Sequence, residues 1–400
     1  MDKVMYDFKT RINREGTGSA KWDLMYTVNP DVSFNVVPLS IADMEFVNAP
    51  EIRKGLQKYL NTAILGYQVA YDDFNEAVVN WQEKRYDWSI EKEWIVDANN
   101  VVMALYAAVR AFTEENDGVI IFRPSYPPFG NAIDVNHRTE VGIPLLNNDG
   151  YYTIDFDQFE EVAADSNNKM LILCNPHNPV GRVWTKEELE KIAEISVKHN
   201  LTVVSDEIWR DFTMPGYEYT PLATVNTELT PSLMTCTSAS KSFNLGGLKL
   251  ASIIIEDEKL REKFQEELTI MGGSVIGPLA YKGVELAYTK AEPWLDEVLK
   301  VIDTNQNLVH DFFKENYPKI KAPKIEGTYV QWIDVSEVGM TDEEMAKFLE
   351  QEAEFFTGHG TAYGLEEGRG YERINLALPT EILRESLERL VNALKKREEA

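Results

Sequence analysis

The chain has 400 residues, of which 44% are hydrophobic and 26% are charged, a composition typical of a folded globular protein rather than a disordered chain. Forty Lys and Arg residues against 66 Asp and Glu residues give a formal net charge of −26, which disfavours binding to nucleic acid or to anionic membranes. This length suits one large domain with a smaller one.

The ends and the cysteines of the chain give no sign of export. Residues 1–16 lack the apolar segment of a secretory signal, and no apolar run is long enough to cross a bilayer. Cys174 and Cys236 lie far apart, without metal-ligand spacing, and each belongs to a strand-like apolar run. We therefore expect two reduced, buried thiols, no metal site, no membrane partner and a cytoplasmic protein.

The middle of the chain alternates short apolar runs with helical patterns. Continuous apolar runs occur at residues 119–122, 170–174, 201–205, 233–237 and 250–255. Runs of this kind suit strands that are covered by helices on both faces. Between the second and third runs, Thr185 and Glu188 form the capping box of an amphipathic helix. This strand–helix–strand unit predicts an α/β fold with a central, largely parallel sheet within residues 50–290.

The last third of the chain predicts a second, smaller α/β unit. Residues 326–335 and 370–378 have strand-like sequences, and Thr341 with Glu344 opens another capped helix. The closing helix carries a leucine stripe that is expected to pack on its own domain rather than form a coiled coil. The first fifty residues are too polar to fold alone. We therefore predict a large domain at residues 50–290 and a small domain formed by residues 1–49 and 291–400.

Polar residues follow three of the predicted strands, where ligands gather in open α/β sheets. Asn178 lies after the second run, Asp206 after the third, and Lys241 after the fourth, between Ser240 and Ser242. A lysine in this position can be a surface residue. However, small donors beside a buried amine suit an aldehyde cofactor that carries a phosphate, because burial disfavours the ammonium cation and leaves a nucleophile.

Several motifs strengthen this interpretation by their resemblance to a known family. SASKSFNLGGLK (238–249) resembles the lysine segment of fold-type I, aspartate-aminotransferase-like enzymes, which use pyridoxal 5′-phosphate (PLP). NPHNPVGR (175–182) and SDEI (205–208) are similar to two further segments of those enzymes. PLSIADMEF, LGYQ and RPSYPPF are similar to the cystathionine β-lyase-like branch of class I/II aminotransferases, a group of C–S lyases. The resemblance covers nearly the whole chain in the expected order.

The resemblance implies roles around the cofactor ring. Lys241 would hold PLP as a Schiff base and later take the Cα proton of the substrate. Asp206 would bond the pyridine nitrogen and keep the ring an electron sink. Asn178 would donate to the phenolic oxygen of the ring and contact the substrate carboxylate, and Tyr126 would stack on the ring face.

The phosphate and the substrate have their own candidates. Ser238 and Ser240 are candidate phosphate donors, together with the backbone N–H groups of Val101 and Val102 at the start of a helix. Lys249 lies where related transaminases place a phosphate-binding arginine.

Three further residues are assigned to the substrate and the dimer by the resemblance. Arg373 would grip the substrate α-carboxylate with two hydrogen bonds, and the backbone at Ala42 would complete that site. Asp43 is interpreted as structural. Tyr67 resembles a tyrosine that enters the active site from the neighbouring subunit, which implies a homodimer with shared active sites.

The sequence departs from the pattern of the branch at three places. Trp209 stands where the lyases usually have histidine, and an indole N–H donates but cannot shuttle a proton. Asn99 and Asn100 precede the helix that contains Val101, where glycine is expected. The stretch between residues 359 and 373 lacks the expected glycine–phenylalanine spacing. These departures affect the substrate and the reaction outcome more than the cofactor.

Three functions remain open from the sequence. The leading hypothesis is β-elimination from a cysteine S-conjugate such as cystathionine, which yields a thiol, pyruvate and ammonia. The alternative is an aminotransferase acting on an amino acid and a 2-oxo acid, and it would use every residue named above. The least favoured is a PLP-sensing regulatory module, because such modules are usually fused to a DNA-binding domain and this chain is strongly acidic.

Overall fold

The computed structural model describes residues 6–399. Met1 to Met5 and Ala400, which the sequence assigned to the small domain, lie outside the described residues. The helices are α1 (Ala20–Val28), α2 (Pro50–Leu60), α3 (Asp72–Tyr86), α4 (Val101–Phe112), α5 (Pro127–Val135), α6 (Phe156–Ala163), α7 (Lys186–Lys198), α8 (Ala239–Ser242), α9 (Glu258–Ile270), α10 (Pro278–Lys290), α11 (Glu292–Asn316), α12 (Asp342–Gln351) and α13 (Thr380–Glu398). None of the helices within residues 6–399 has the length and apolar character needed to span a bilayer.

The strands form one large sheet, one small sheet and a hairpin. They are β1 (Ile95–Ala98), β2 (Gly118–Arg123), β3 (Thr139–Pro144), β4 (Leu146–Asn148), β5 (Tyr151–Thr153), β6 (Asn168–Cys174), β7 (Thr202–Asp206), β8 (Leu233–Thr237), β9 (Ala251–Ile254), β10 (Val330–Asp334), β11 (Gly358–His359) and β12 (Tyr371–Asn375). Strands β4 and β5 form the hairpin.

The large sheet has seven strands in the order β1-β9-β8-β7-β6-β2-β3. Neighbours from β3 to β8 are parallel, and β9 runs antiparallel to both β8 and β1. All residues of β8 and β9 are buried, as continuous apolar strands require when helices cover both faces. The predicted α/β fold, its largely parallel sheet and the five strands read from the sequence are confirmed.

Helix ends follow the local signals of the sequence. Thr185 and Glu188 exchange side-chain and backbone hydrogen bonds at the start of α7, and Thr341 and Glu344 do the same at the start of α12. Leu189, Ile192, Ala193 and Ile195 of α7 are buried, and Val197 is partly buried. The leucine stripe of α13 is also buried, which confirms that this helix packs within its own chain.

The N-terminal segment is joined to the C-terminal part by backbone hydrogen bonds. Leu39 donates to Phe356 O at 2.8 Å and accepts from the N–H of Asn375 at 2.9 Å, and Glu45 donates to Ala377 O at 2.9 Å. Residues near 40 therefore lie beside the small sheet, whose order is β10-β12-β11. A small α/β domain contributed by both ends of the chain is confirmed, whereas its limits at residues 49 and 291 stay a prediction.

A buried ion cluster holds the turn that follows residue 40. Lys21 is buried and lies 2.8 Å from Asp43 Oδ1 and 2.7 Å from Glu45 Oε1. Arg14 binds the same two carboxylates at 2.9 and 3.0 Å. These pairs support the structural role that the sequence predicted for Asp43. Because burial of an unpaired charge is costly, each partner depends on the others.

Replacing Lys21 by methionine is expected to destabilise the apoprotein by about 3–5 kcal/mol, because Glu45 would remain buried with one cation fewer. The free energy of unfolding from urea denaturation measures this effect. Lys300→Ala removes an exposed lysine from α11 and should change that free energy little. Equal effects of the two substitutions would contradict a stabilising role for the buried cluster.

Candidate active site

A cavity of about 590 Å³ opens where the carboxyl ends of the parallel strands face the small domain. Tyr126 follows β2, Asn178 follows β6, Asp206 ends β7 and Ser238 follows β8, so the sheet topology itself gathers these residues. The predicted site residues that line the cavity are Ala42, Val101, Val102, Tyr126, Asn178, Asp206, Trp209, Ser238, Ser240, Lys241, Lys249 and Arg373.

Tyr67 is the predicted site residue that does not line the cavity. It lies between α2 and α3 with its side chain fully exposed. Its sequence-based role requires a neighbouring subunit, which a single chain does not contain. The roles of all these residues stay predictions, and the structure gives their positions.

Lys241 occupies the short helix α8 and points its amine at the turn that follows residue 40. Its Nζ donates a 2.7 Å hydrogen bond to Ala42 O and lies 5.2 Å from the centre of the Trp209 ring. Burial, reinforced by the positive charge of Arg373, lowers the pKa of Lys241 to about 8. The amine is therefore neutral, and so nucleophilic, in a sizeable fraction of molecules near neutral pH.

Asp206 is the acidic group of the cavity. Burial raises the pKa of this carboxyl to about 7, against the effects of the Ile208 N–H, which donates to Oδ1 at 3.2 Å, and of the Lys241 charge. In the sheet Asp206 lies between Cys174 on β6 and Cys236 on β8, two free and buried thiols. A buried carboxyl in such weakly polar surroundings is suited to pair with a cationic ring nitrogen.

The wall of the cavity includes donors for an anion. The N–H groups of Val101 and Val102 begin α4 and have no hydrogen-bond partner among residues 6–399, because the first intrahelical bond belongs to Ala104. The Lys249 ammonium forms no ion pair within the same described range. Helix N–H groups and a lysine together form a site for a phosphate. Ser240 also lines this cavity.

Ser238 has a more structural environment than the sequence suggested. Its hydroxyl donates to Leu250 O at 2.7 Å and accepts from the N–H of Ser240 at 3.1 Å, which caps helix α8. The proton of this hydroxyl is already used, so Ser238 can donate to a phosphate only by releasing Leu250 O. Ser238 lines the cavity and its hydrogen bonds hold the turn that carries Lys241, while its role toward a phosphate stays a prediction.

Arg373 reaches the cavity from strand β12 of the small sheet. Its Nη1 donates to Asn178 Oδ1 at 3.1 Å and its Nη2 to Ser40 O at 2.9 Å. Its Nε is buried and has no partner within the described chain. The N–H of Ala42 also lacks a partner there. Unpaired buried donors beside a guanidinium mark a place for an anionic acceptor such as a carboxylate.

Two sequence departures have local explanations. Asn100 accepts a 2.8 Å hydrogen bond from the N–H of Met103, so it caps α4 where glycine was expected. Trp209 is buried and packs edge to face against Tyr329, with ring centres 4.7 Å apart and planes at 78°. Trp209 thus forms part of the cavity wall beside Lys241.

Sequence reasoning missed eight residues of the cavity wall. They are Ile41, Asn100, Pro127, Cys174, Ile208, Gly246, Leu250 and Tyr363. Five of them, Ile41, Asn100, Pro127, Ile208 and Leu250, are immediate sequence neighbours of predicted residues, and Gly246 lies inside a quoted motif. Tyr363 is different, because it lies in the stretch that departs from the family pattern and no motif indicates it.

The residues present fit a PLP cofactor by their chemistry. One cavity contains a buried amine with a pKa of about 8, a buried carboxyl, an anion site and an arginine with an unpaired donor. A phosphate-bearing pyridine aldehyde has a group for each of these features. Among the described residues, no set of three or more His, Cys, Asp or Glu side chains could hold a metal ion.

Residues 35–390 match the family of class I and II aminotransferases. The chain belongs to this family. It is 36% identical over 392 residues to cystathionine beta-lyase PatB of Bacillus subtilis, covering 97% of this chain and 100% of that protein. It is 30% identical to the MalY protein of Escherichia coli, covering 98% of this chain and 99% of that protein.

Solved structures give a similar result. Cystalysin from Treponema denticola, whose crystal structure contains PLP, matches with a TM-score of 0.97 and 46% identity, covering 98% of this chain and 100% of that one. The PLP-bound C-S lyase from Staphylococcus hominis matches with a TM-score of 0.90 and 31% identity, covering 98% of each chain. The family predicted from the sequence is confirmed.

The lowered pKa of Lys241 predicts how its reaction with PLP depends on pH. As the pH rises through about 8, the amine loses its proton, so the rate of capture of PLP by the apoprotein should rise and then level off. Borohydride reduction followed by peptide mass spectrometry measures the adduct at residue 241, and Lys241→Ala supplies the blank. A rate of adduct formation that does not change between about pH 7 and about pH 9 would contradict this assignment.

Proposed function

We propose that this protein is a PLP-dependent C–S lyase that releases a thiol, pyruvate and ammonia from cysteine S-conjugates such as cystathionine. The observation that carries the proposal is a buried Lys241 amine of lowered pKa in the same cavity as Asp206 and Arg373. The lyase outcome, rather than transamination, is supported by the names of the similar proteins, which include a cystathionine beta-lyase and a C-S lyase.

Each polar group of the cofactor would be held by residues of the cavity. Lys241 would join its aldehyde carbon, Asp206 would pair with the ring nitrogen, and the start of α4 with Lys249 and Ser240 would bind the phosphate. Asn178 accepts from Arg373 through Oδ1, so its amide N–H₂ is free to donate to the phenolic oxygen. When bound, PLP supplies an electron sink for the charge that develops on the substrate Cα atom.

The substrate carboxylate would be fixed by the small sheet. Arg373 on β12 has an unpaired Nε, and Ala42 in the N-terminal segment has an unpaired backbone N–H. A planar guanidinium that holds a carboxylate with two hydrogen bonds fixes the orientation of the Cα–H bond. Tyr126, whose pKa burial raises to about 12, stays a neutral aromatic wall at neutral pH.

Lys241 is suited to move the proton from Cα. A general base is most effective when its pKa lies near the working pH, and burial brings this amine to about 8. Ala42 O accepts a hydrogen bond from Nζ at 2.7 Å and from the Tyr329 hydroxyl at 2.9 Å, so the acceptor that orients the amine is itself held. Trp209 covers the amine from another side and limits the access of water.

A shared site in a homodimer is the second part of the proposal. Between the end of α2 and residue 69, the exposed side chains include Leu60, Ile64, Leu65, Tyr67 and Val69. Apolar residues grouped on the surface in this way favour a protein interface. A second copy of the chain seated there would bring Tyr67 to the neighbouring cavity, as the family resemblance implies. The cytoplasmic location stays a prediction of the sequence.

The first test uses purified protein with PLP and L-cystathionine, without any 2-oxo acid. We expect sustained release of pyruvate, and none from Lys241→Ala, because that substitution removes both the attachment point and the base. Coupled pyruvate detection measures it. Bound cofactor without pyruvate would contradict the lyase proposal, and a requirement for an added 2-oxo acid would favour the aminotransferase alternative.

A mixing experiment tests the shared site. Tyr67→Ala and Lys241→Ala homodimers should each be nearly inactive, whereas dimers re-formed from equal amounts of both should regain about a quarter of the activity, since half of the dimers are hybrids with one intact site. Pyruvate release from the remixed sample measures this. Failure to regain activity, with hybrid dimers verified by differential tagging, would contradict the role of Tyr67 across subunits.

A further inference from the structure

We infer that Tyr363 positions the guanidinium of Arg373, and that Arg123 holds Tyr363 in place from the large sheet. The unit Arg123–Tyr363–Arg373 would then determine how tightly the α-carboxylate of the substrate is bound. The identity of that carboxylate rests on the proposed function, whereas the contacts among the three residues do not.

The Arg373 guanidinium and the Tyr363 ring are buried and in contact. The Arg373 guanidinium carbon lies 4.9 Å from the centre of the Tyr363 ring, and each residue is only 5% exposed. Attraction between a guanidinium and an aromatic face is strongest when water is excluded. Tyr363 also lines the cavity, so the contact occurs at the place where a substrate would bind.

The other partners of Arg373 are hydrogen-bond acceptors at the edge of its guanidinium. Nη1 is bound to Asn178 and Nη2 to Ser40 O, and hydrogen bonds of a guanidinium lie in its plane. These two hydrogen bonds fix the direction of the guanidinium within its own plane. The guanidinium also contacts the face of the Tyr363 ring, and this contact restricts rotation of the guanidinium out of that plane. Such a rotation would turn Nε away from an incoming carboxylate.

The ring of Tyr363 is itself closely held. Trp332 contacts it edge to face, with ring centres 5.5 Å apart, and Trp332 in turn stacks on Tyr371. A Cβ atom at residue 358 would lie 2.8 Å from the Tyr363 hydroxyl, so Gly358 provides the space that the ring occupies. The hydroxyl has no hydrogen-bond partner within residues 6–399, so the contact of Tyr363 with Arg373 is made by the ring.

Tyr363 is attached to the large sheet through its backbone oxygen. The backbone oxygen of Tyr363 accepts from the N–H of Ser125 at 2.8 Å and from Arg123 Nη1 at 2.9 Å. Arg123 ends β2 and is oriented by Glu140 on β3, whose Oε1 accepts from its Nε at 3.0 Å. The segment that carries Tyr126 toward the cofactor site therefore also fixes Tyr363. Recognition of the carboxylate is tied in this way to the sheet that carries Asp206.

The test measures equilibrium binding to the holoenzyme of 3-(methylthio)propanoate, a carboxylate without the amino group that reaction requires. Calorimetry should show binding weakened roughly 3- to 30-fold in Tyr363→Leu and Tyr363→Met, which lose the aromatic face. Tyr363→Phe, which keeps the face and loses only the hydroxyl, should bind as the wild type does. The alcohol 3-(methylthio)propan-1-ol should bind equally to all these variants.

Arg123→Met should weaken carboxylate binding in the same direction, and its effect should be largely absent when Tyr363 is already leucine. Arg138→Met is the matched control, since Arg138 is a partly buried arginine of the large domain that bonds Thr113 away from the cavity. With a reacting cysteine S-conjugate, the Tyr363 variants should raise KM by a similar factor and leave kcat nearly unchanged.

Three results would overturn the inference. They are wild-type carboxylate binding in both Tyr363→Leu and Tyr363→Met, an equal loss for the alcohol, and a loss in Tyr363→Phe as large as in the leucine variant. Because binding requires no turnover, the expected binding pattern without pyruvate release would support the inference while contradicting the proposed lyase reaction. If Tyr363→Leu fails to fold, the methionine variant and the comparison with Arg123→Met still decide the question.

Discussion

The removal of the Lys241 amine from water is the constraint on which the rest of the site depends. An ordinary lysine is protonated at neutral pH and is no nucleophile, and burial at the end of a parallel sheet changes that by penalising the cation. The fold provides this burial with few special features. The lysine follows strand β8 and so lies at the edge of the sheet. Trp209 covers its amine, which donates a hydrogen bond to Ala42 O.

The same low polarity acts in the opposite sense on Asp206. Its pKa rises while that of Lys241 falls, because each loses the solvation of its charged form. The pKa values of both groups, about 7 and about 8, therefore lie close to neutral pH. A bound group that carries a cationic ring nitrogen would restore the charge of the carboxylate. Two buried groups in one cavity with pKa values shifted in opposite directions are typical of sites that bind a cofactor.

The sheet and most of the cavity could be predicted because their signals are local. Apolar runs mark strands such as β6 and β8, capping boxes mark helix starts, and polar residues directly after a strand inherit a known place in the fold. Tyr363 could not be found in this way. Its importance arises from Arg123, 240 residues earlier in the chain, and from the face of Arg373, and neither contact leaves a pattern in sequence. Ser238 shows a related limit, since the sequence placed it in the cavity but did not predict its hydrogen bond to Leu250 O.

The turn around Ala42 joins parts of the chain that are far apart in sequence. Ser40 O meets Arg373 across 333 residues, and Ala42 O meets Lys241 across 199. Closing such long loops is entropically costly and slow, so we expect these contacts to form after the local βαβ units of the large sheet. The segment around Ala42 is held by Asn375 of β12, whose Nδ2 donates to Ile41 O at 2.9 Å and to Asp43 O at 2.6 Å. The acceptor of the Lys241 amine therefore depends on both ends of the sequence, whereas its Trp209 cover comes from the large domain.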